Sequence, residues 1–351
     1  MTHEDLDVEG PVLLIPNHVS AWDPLLVAMS LRKKHVYYVA SEHLFRLGPV
    51  SRLLNWLVAP IPRRKASTGT DTVKACLQHL RAGHSVCLFA EGEQSWTGLN
   101  EPVFPATGKL VKRCGATLVT YRLEGGYLSL PRWGRGVRRG RVRGHPVGIY
   151  PPALLSAMTP QEINERIAAD IREDAWQRQE REPVEYRGRR TAEGLERALY
   201  LCPGCHRIGT LRTRGDRISC ACGLDVFFTA AGFFSPESPF RTIADWDDWQ
   251  RGALAARDFR RGDGEKLFSD RAVKLSRVTA GHRDEVLEQG ELTQYEDSLV
   301  CGSHRFPLEE IRDMAAVLAN RLLFTCGGEY YELSAEAGVS FRKYLEIWRQ
   351  S

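Results

Sequence analysis

No apolar run in this sequence approaches the roughly 18 residues that a helix needs to cross a bilayer, so an integral span is not expected. The chain does not open with a basic segment followed by an apolar core, so no signal peptide is expected either. Charge of one sign is not in surplus: 48 lysines and arginines face 44 aspartates and glutamates, a net charge of +4. A balance that small says little about the surface as a whole and leaves only local basic patches to consider. Internal repeats and low-complexity tracts are lacking. The nine cysteines are an odd number, with four crowded between Cys202 and Cys222 and the rest scattered singly. That pattern argues against a disulfide framework and for a reducing, cytoplasmic compartment. What is present, 43% hydrophobic and 26% charged residues over 351 positions, suits a folded chain with room for two or three domains.

Along the first half, strand-like and helix-like stretches alternate. Residues 11–16 form a short apolar run bounded by prolines, as in a buried strand. Asp23 and Pro24 then open a helix to about residue 32, Asp at the cap and Pro at the first helical position. Strands are predicted at 35–40, 85–90 and 117–123, and helices at 70–82 and 105–114. Residues 50–58 read as an apolar helix or an interfacial stretch. This alternation predicts an α/β domain with a largely parallel sheet. Thr159, Pro160 and Glu162 make a capping box, so a helix is expected from there to about residue 180, closed by Pro183. We therefore read 1–183 as one domain, 184–230 as a connector and metal ribbon, and 231–351 as a small β-rich module. Within the last, strand-like runs at 290–295, 298–301, 321–325 and 330–333 precede a helix over 339–349.

The stretch Asn17-His18-Val19-Ser20-Ala21-Trp22-Asp23 falls between the first strand and the first helix. A histidine five residues before an aspartate cannot share a helical face with it, because that offset turns about 140° around the axis. Here the pair straddles a loop and a helix start, and a turn can fold the two together. At the carboxyl end of a parallel strand the imidazole sits where open α/β sheets bind ligands. An aspartate on one ring nitrogen fixes the tautomer and makes the other nitrogen a better proton acceptor. Such a pair can deprotonate a substrate hydroxyl for attack on a thioester without any protein nucleophile. Taken alone, the same residues also read as a helix cap and a loop histidine.

With Pro24 and Leu25, this stretch resembles the first motif of the lysophosphatidic acid acyltransferase family of glycerolipid acyltransferases. Ile61-Pro62-Arg63 resembles its second motif, and Phe89-Ala90-Glu91-Gly92-Glu93-Gln94-Ser95, followed by Gly98, resembles its third. The resemblance implies that His18 is the general base, Asp23 its orienting partner, and Arg63 a contact to the acceptor's phosphate. It further implies that Glu91 and Gly92 shape the acceptor site. The acyl donor implied is acyl-coenzyme A or acyl-carrier protein, and the acceptor is a lysophospholipid such as 1-acyl-glycerol-3-phosphate. Two departures stand out. Gln94 replaces an arginine usual in the third motif, with Arg64, Lys65 or the arginines after Leu130 as candidate substitutes. The stretch Gly115–Tyr121 carries threonines where the family's fourth motif is rich in proline. Glycerol-3-phosphate or another lipid acceptor therefore stays open.

Cys202-Pro203-Gly204-Cys205 and Cys220-Ala221-Cys222-Gly223 place four thiols in two close pairs, the spacing of a closed tetrahedral zinc ribbon. A structural metal is expected, with no open catalytic position, and His206 is not expected to be a ligand. Between Arg132 and Arg143 lie six arginines and no acidic residue. Interleaved with glycines, they suit lipid phosphates or RNA, the lipid reading being the economical one beside an acyltransferase. The short strands and closing helix of the C-terminal module resemble a pleckstrin-homology-like fold, a module for membrane or protein docking. Together these features predict an acyltransferase acting from the membrane surface, cytoplasmic and peripheral on the inner face, with nucleic acid an unlikely partner. The competing reading is a nucleic-acid- or protein-binding ribbon protein with an inactive acyltransferase-like domain.

Overall fold

A computed structural model describes residues 2–4, 6–31, 34–41, 60–63, 70–257, 264–279, 284–336 and 338–351. The apolar stretch at 50–58, and Arg64 and Lys65, lie outside them. The described chain forms two compact units, one running to Arg132 and resuming at Val137–Arg187, the other comprising Trp133–Gly136 and Gly188–Ser351.

The first unit is built on a seven-stranded sheet. Its strands are β1 (Thr2–His3), β2 (Val12–Pro16), β3 (Val36–Ser41), β4 (Ile61–Arg63), β5 (Ser85–Cys87), β6 (Thr117–Glu124) and β7 (Arg143–Tyr150), in the order β1-β7-β6-β2-β5-β3-β4. Every pairing is parallel except β6 with β7. β2 is buried along its whole length between β5 and β6, which explains its unbroken apolar run. From β2 the chain moves to one side of the sheet through β3, β4 and β5, then crosses to the other through β6 and β7. The reversal falls at the carboxyl ends of β2 and β5, where such sheets open a crevice. Leu13, Ile15, Val86 and Leu118 of the sheet share a core with Leu110 and Val111 of α3 (Ala106–Cys114) and Ile163 and Ile167 of α6 (Pro160–Asp170). Also in this unit are α1 (Asp23–Ser30), α2 (Thr70–Arg81), α4 (Gly126–Ser129), α5 (Pro152–Ala157) and α7 (Ala175–Arg181).

One expected helix is two. The capping box at Thr159 and Glu162 forms, but the helix stops at Asp170 and α7 starts afresh with Asp174 accepting from the N–H groups of Trp176 and Gln177. The break is tertiary in origin. Glu173 N donates to Asn100 Oδ1 and Ala175 N to the Gly98 carbonyl, so these backbone donors serve the loop after β5 instead of a continuous helix. The predicted strand over 85–90 likewise ends at Cys87, since the following residues turn into that loop.

The second unit holds a three-stranded antiparallel sheet of β8 (Arg212–Arg214), β9 (Arg217–Ser219) and β10 (Asp225–Phe227), then α8 (Ile243–Ala255). A seven-stranded antiparallel sheet follows: β11 (Lys266–Val278), β12 (Asp284–Tyr295), β13 (Ser298–Cys301), β14 (His304–Pro307), β15 (Arg312–Val317), β16 (Arg321–Cys326) and β17 (Glu329–Ser334). Its order is β14-β13-β12-β11-β17-β16-β15. β11 pairs with β12 along most of its length and with β17 only over Lys274–Arg277, and register shifts bend it. It thereby joins a four-stranded and a three-stranded half, closed by α9 (Phe341–Gln350). Arg342, buried in α9, pairs with Asp247 of α8 at 2.7 Å, and Ser340 Oγ donates to the Arg197 carbonyl. α8, α9 and the segment before the cysteines therefore share one buried polar network.

Candidate active site

The loop between β2 and α1 is pinned at its root. Asn17, fully buried, donates from Nδ2 to the Leu123 carbonyl and accepts from the Leu123 N–H through Oδ1, so a side chain extends the β2–β6 ladder by one residue. Past this clamp the chain turns. Asp23, also fully buried, accepts at Oδ2 from Val19 N (2.7 Å), Ser20 N (2.9 Å) and His18 Nδ1 (2.8 Å), and at Oδ1 from Ser20 Oγ (2.6 Å). Pro24 behind it starts α1 without needing an N–H donor. Asp23 is therefore not the helix cap expected from the sequence, since Trp22 holds that place without a side-chain cap bond; its carboxylate folds backward onto the loop, and His18 is one of the groups it holds. Because the carboxylate only accepts, Nδ1 carries the proton and Nε2 is the basic nitrogen. The imidazole stacks on Phe89 at 4.2 Å between centroids and its side chain is 17% exposed.

The loop after β5 forms the facing wall. Glu91, 3% exposed, accepts from His18 N (2.8 Å) and Asn100 Nδ2 (3.0 Å) at one oxygen and from Glu101 N (2.7 Å) at the other. Burial pushes its carboxyl up to about 8, against these three donors. All three partners donate, which opposes the burial without offsetting it. Ser95 N donates to the His18 carbonyl, so both ends of the segment 91–95 grip the histidine backbone.

Gly92 has a φ of +76°, and a Cβ there would lie 2.1 Å from Phe104 Cε2 and 3.0 Å from Arg63 Nη1. Glycine is required twice over, by backbone conformation and by close approach. Arg63, at the end of β4, stacks over the Phe104 ring at 4.6 Å. Burial pulls its pKa down, and the charge of Glu93 works in the opposite sense.

The structure therefore brings His18, Asp23, Glu91, Gly92 and Arg63 to one end of the sheet. Residues without a role in the sequence reading join them: Phe89 beneath the imidazole and Asn17 at the root, both quoted there only as members of motifs, and Asn100 on Glu91, which was not singled out. The arginine run after Leu130 is not a uniform basic surface. Arg132 is buried against Glu93, Arg138 is 5% exposed with burial pulling it down to about 10, and Arg141 and Arg143 both approach Glu182, at 3.3 and 3.6 Å.

Residues 1–124 match the acyltransferase family model. Among solved structures, the chain is similar to the crystal structure of the 1-acyl-sn-glycerophosphate (LPA) acyltransferase PlsC from Thermotoga maritima. That match has 15% sequence identity and a TM-score of 0.42, and covers 51% of this chain and 69% of the other.

In the second unit, Cys202, Cys205, Cys220 and Cys222 bring their sulfurs within 4.8 Å of one another. The first pair precedes β8 and the second follows β9, so the hairpin folds one pair onto the other. Sulfur separations are 3.6 Å for Cys202 and Cys222 and 3.8 Å for Cys205 and Cys220. A tetrahedral ion with metal–sulfur bonds of about 2.3 Å requires edges of roughly 3.8 Å, so the four cysteines fit a metal. Gly204 contributes by lacking a side chain, since a Cβ there would sit 3.2 Å from Cys222 Sγ.

Proposed function

We propose that this protein is an O-acyltransferase that moves a fatty acyl group from a thioester, acyl-coenzyme A or acyl-carrier protein, to the free hydroxyl of 1-acyl-glycerol-3-phosphate. The observation that carries the reading is the buried Asp23 carboxylate bonded to His18 Nδ1 at the carboxyl end of β2. His18 Nε2 takes the proton of the acceptor hydroxyl as its oxygen attacks the thioester carbonyl. When the tetrahedral intermediate collapses, the C–S bond breaks, the ester C–O bond remains, and the proton passes to the departing sulfur. Asp23 keeps the ring oriented and stabilises the transient imidazolium. Arg63 supports the acceptor's phosphate, and Glu91 with Gly92 keeps the facing wall close to the histidine.

Trp22 just before α1, and Leu25 and Met29 on it, spaced three and four residues apart, are 39%, 66% and 40% exposed. They offer apolar surface to an amphiphilic acceptor at a membrane face, which supports a peripheral enzyme, and we place it at the cytoplasmic leaflet as part of the same proposal. No helix among the described residues is long and apolar enough to cross a membrane. The cysteine cluster suits zinc in a structural role, its four sulfurs completing the shell. The C-terminal sheet and α9 serve as a pleckstrin-homology-like docking module.

The test is thiol release from a long-chain acyl-coenzyme A with 1-acyl-glycerol-3-phosphate, comparing wild type with His18→Ala. Turnover is expected only in the wild type. Equal turnover in the variant, or none by wild type with any lysolipid, glycerol-3-phosphate or acyl-carrier-protein donor, would overturn the reading.

A further inference from the structure

Arg132 follows α4, far in sequence from the motifs around His18. Its Nη1 nevertheless donates to Glu93 Oε2 at 2.7 Å and to the Gln94 carbonyl at 3.0 Å, and its guanidinium lies 4.0 Å over the Trp96 ring. The ring holds the guanidinium plane and the Gln94 carbonyl holds its edge. This arginine therefore grips the segment 91–95, which bonds the His18 backbone at both ends. Its side chain is 3% exposed, while that of Glu93 is 21% exposed.

A guanidinium so buried is costly without an anion beside it. Glu93 supplies one, and it is the more solvent-exposed member of the pair. Arg63 feels the same carboxylate and lies against Gly92, where a Cβ would sit 3.0 Å from its Nη1. Both guanidiniums thus feel the Glu93 carboxylate, Arg132 by direct pairing and Arg63 through its charge. That is the arrangement of an anion site filled by an internal anion, which an incoming phosphate can replace because it matches two arginine forks better than one carboxylate does.

We infer that Arg132 is the second cation of the acceptor's phosphate site, reaching position 94 through space, with Glu93 as the internal anion that the phosphate displaces. The inference rests on the acyltransferase reading and names how that site selects an anionic headgroup. Positions 94 and 132 are then interchangeable places from which to deliver one guanidinium.

The experiment is steady-state kinetics of the full chain with 1-acyl-glycerol-3-phosphate and with the neutral 1-acylglycerol, alongside calorimetric titration with inorganic phosphate. Arg132→Gln should raise KM for the phosphate-bearing acceptor at least tenfold, shift KM for the neutral one much less, and weaken phosphate binding. Arg132→Lys should fall between. Adding Gln94→Arg to Arg132→Gln should recover most of the lost KM, and Glu93→Gln should lower KM for the anionic acceptor by removing the competitor. Equal KM changes for both acceptors, or a loss confined to kcat, would reduce Arg132 to a loop tether and overturn the inference. If Arg132→Gln does not fold, Glu93→Gln decides: a lower KM for the anionic acceptor sustains the inference, and an unchanged or higher one overturns it. If wild type turns over no acceptor at all, the acyltransferase reading fails by itself. Phosphate titration then decides: equal affinity in wild type and Arg132→Gln overturns the site, and weaker affinity in the variant sustains it.

Discussion

Replacing Asp23 with asparagine separates what this residue does for the fold from what it does for the proton. The carboxylate accepts from two backbone N–H groups, a hydroxyl and the imidazole. Asparagine is the same size and keeps one oxygen. Pointed at the Val19 and Ser20 N–H groups, that oxygen preserves the turn, while the new amide nitrogen faces Ser20 Oγ, a hydroxyl able to accept. The remaining loss is a set of charge-assisted bonds, about 1.5–3 kcal/mol of stability for a hydrogen bond to a charged group, which a domain survives. The catalytic loss is larger. A neutral amide cannot stabilise the imidazolium, and if its nitrogen turns toward Nδ1 the ring takes the tautomer with the proton on Nε2, which cannot accept one from substrate. General-base catalysis contributes roughly 10²- to 10⁴-fold, or about 3–5 kcal/mol of barrier. Asp23→Asn should therefore melt within several degrees of wild type yet lose two to four decades in kcat, followed as thiol release under saturating acceptor. A folded variant within about threefold of wild-type kcat would refute a base oriented by Asp23.

Three further outcomes follow from the geometry. Gly92→Ala forces a side chain into a left-handed conformation and against Phe104 and Arg63; the conformation alone costs about 1–2 kcal/mol, so a lower melting temperature and a raised acceptor KM are expected, and unchanged values for both would contradict the close approach. Glu91 has a folded pKa raised from 4.5 to about 8, so its contribution to stability is fully present below the unfolded value and is lost as pH rises through about 8, at a slope of at most about 1.4 kcal/mol per pH unit. Activity per folded molecule should rise over the same window as the carboxylate ionises; a thermal-melt series in which wild type gains stability relative to Glu91→Gln as pH rises would contradict this. Cys202→Ser should lower bound zinc measured by elemental analysis and destabilise the second unit, and equal zinc in variant and wild type would exclude the four-sulfur site.

How much of this was legible in the sequence depended on how local each signal was. The β2–α1 loop announced itself because Asp23 opens α1 and its carboxylate binds the same turn that carries His18, so chemistry and local structure coincide within a few residues. The cysteine pairs were equally plain, since hairpin and ligand spacing are set together. α8 was missed although Thr242 and Asp245 form a capping box, a signal as local as the one at Thr159. β7 was missed for a physical reason: Gly144, Pro146 and Gly148 read as loop, yet Pro146 faces Tyr121 where the register of β6 and β7 shifts, a position where a strand tolerates a missing donor. β11 was hidden similarly, its alternation broken by the register shifts that bend it.

The arginine run shows the opposite limit. Sequence offers a count of charges and no partners, so six arginines look like one field. In the fold they are shared out: Arg132 goes to Glu93, and Arg141 and Arg143 go to Glu182. Which of them approaches the candidate site was decided by α4, a four-residue helix whose Gly126 packs so close to Val19 that a Cβ would lie 2.9 Å from its methyl carbon. That contact carries the segment leading to Arg132 alongside the His18 loop. If Arg132 serves the acceptor's phosphate as inferred, Gln94 as a departure from motif and Arg132 as a stray basic residue are one feature, because a guanidinium need only reach the site and the fold decides from which segment it comes.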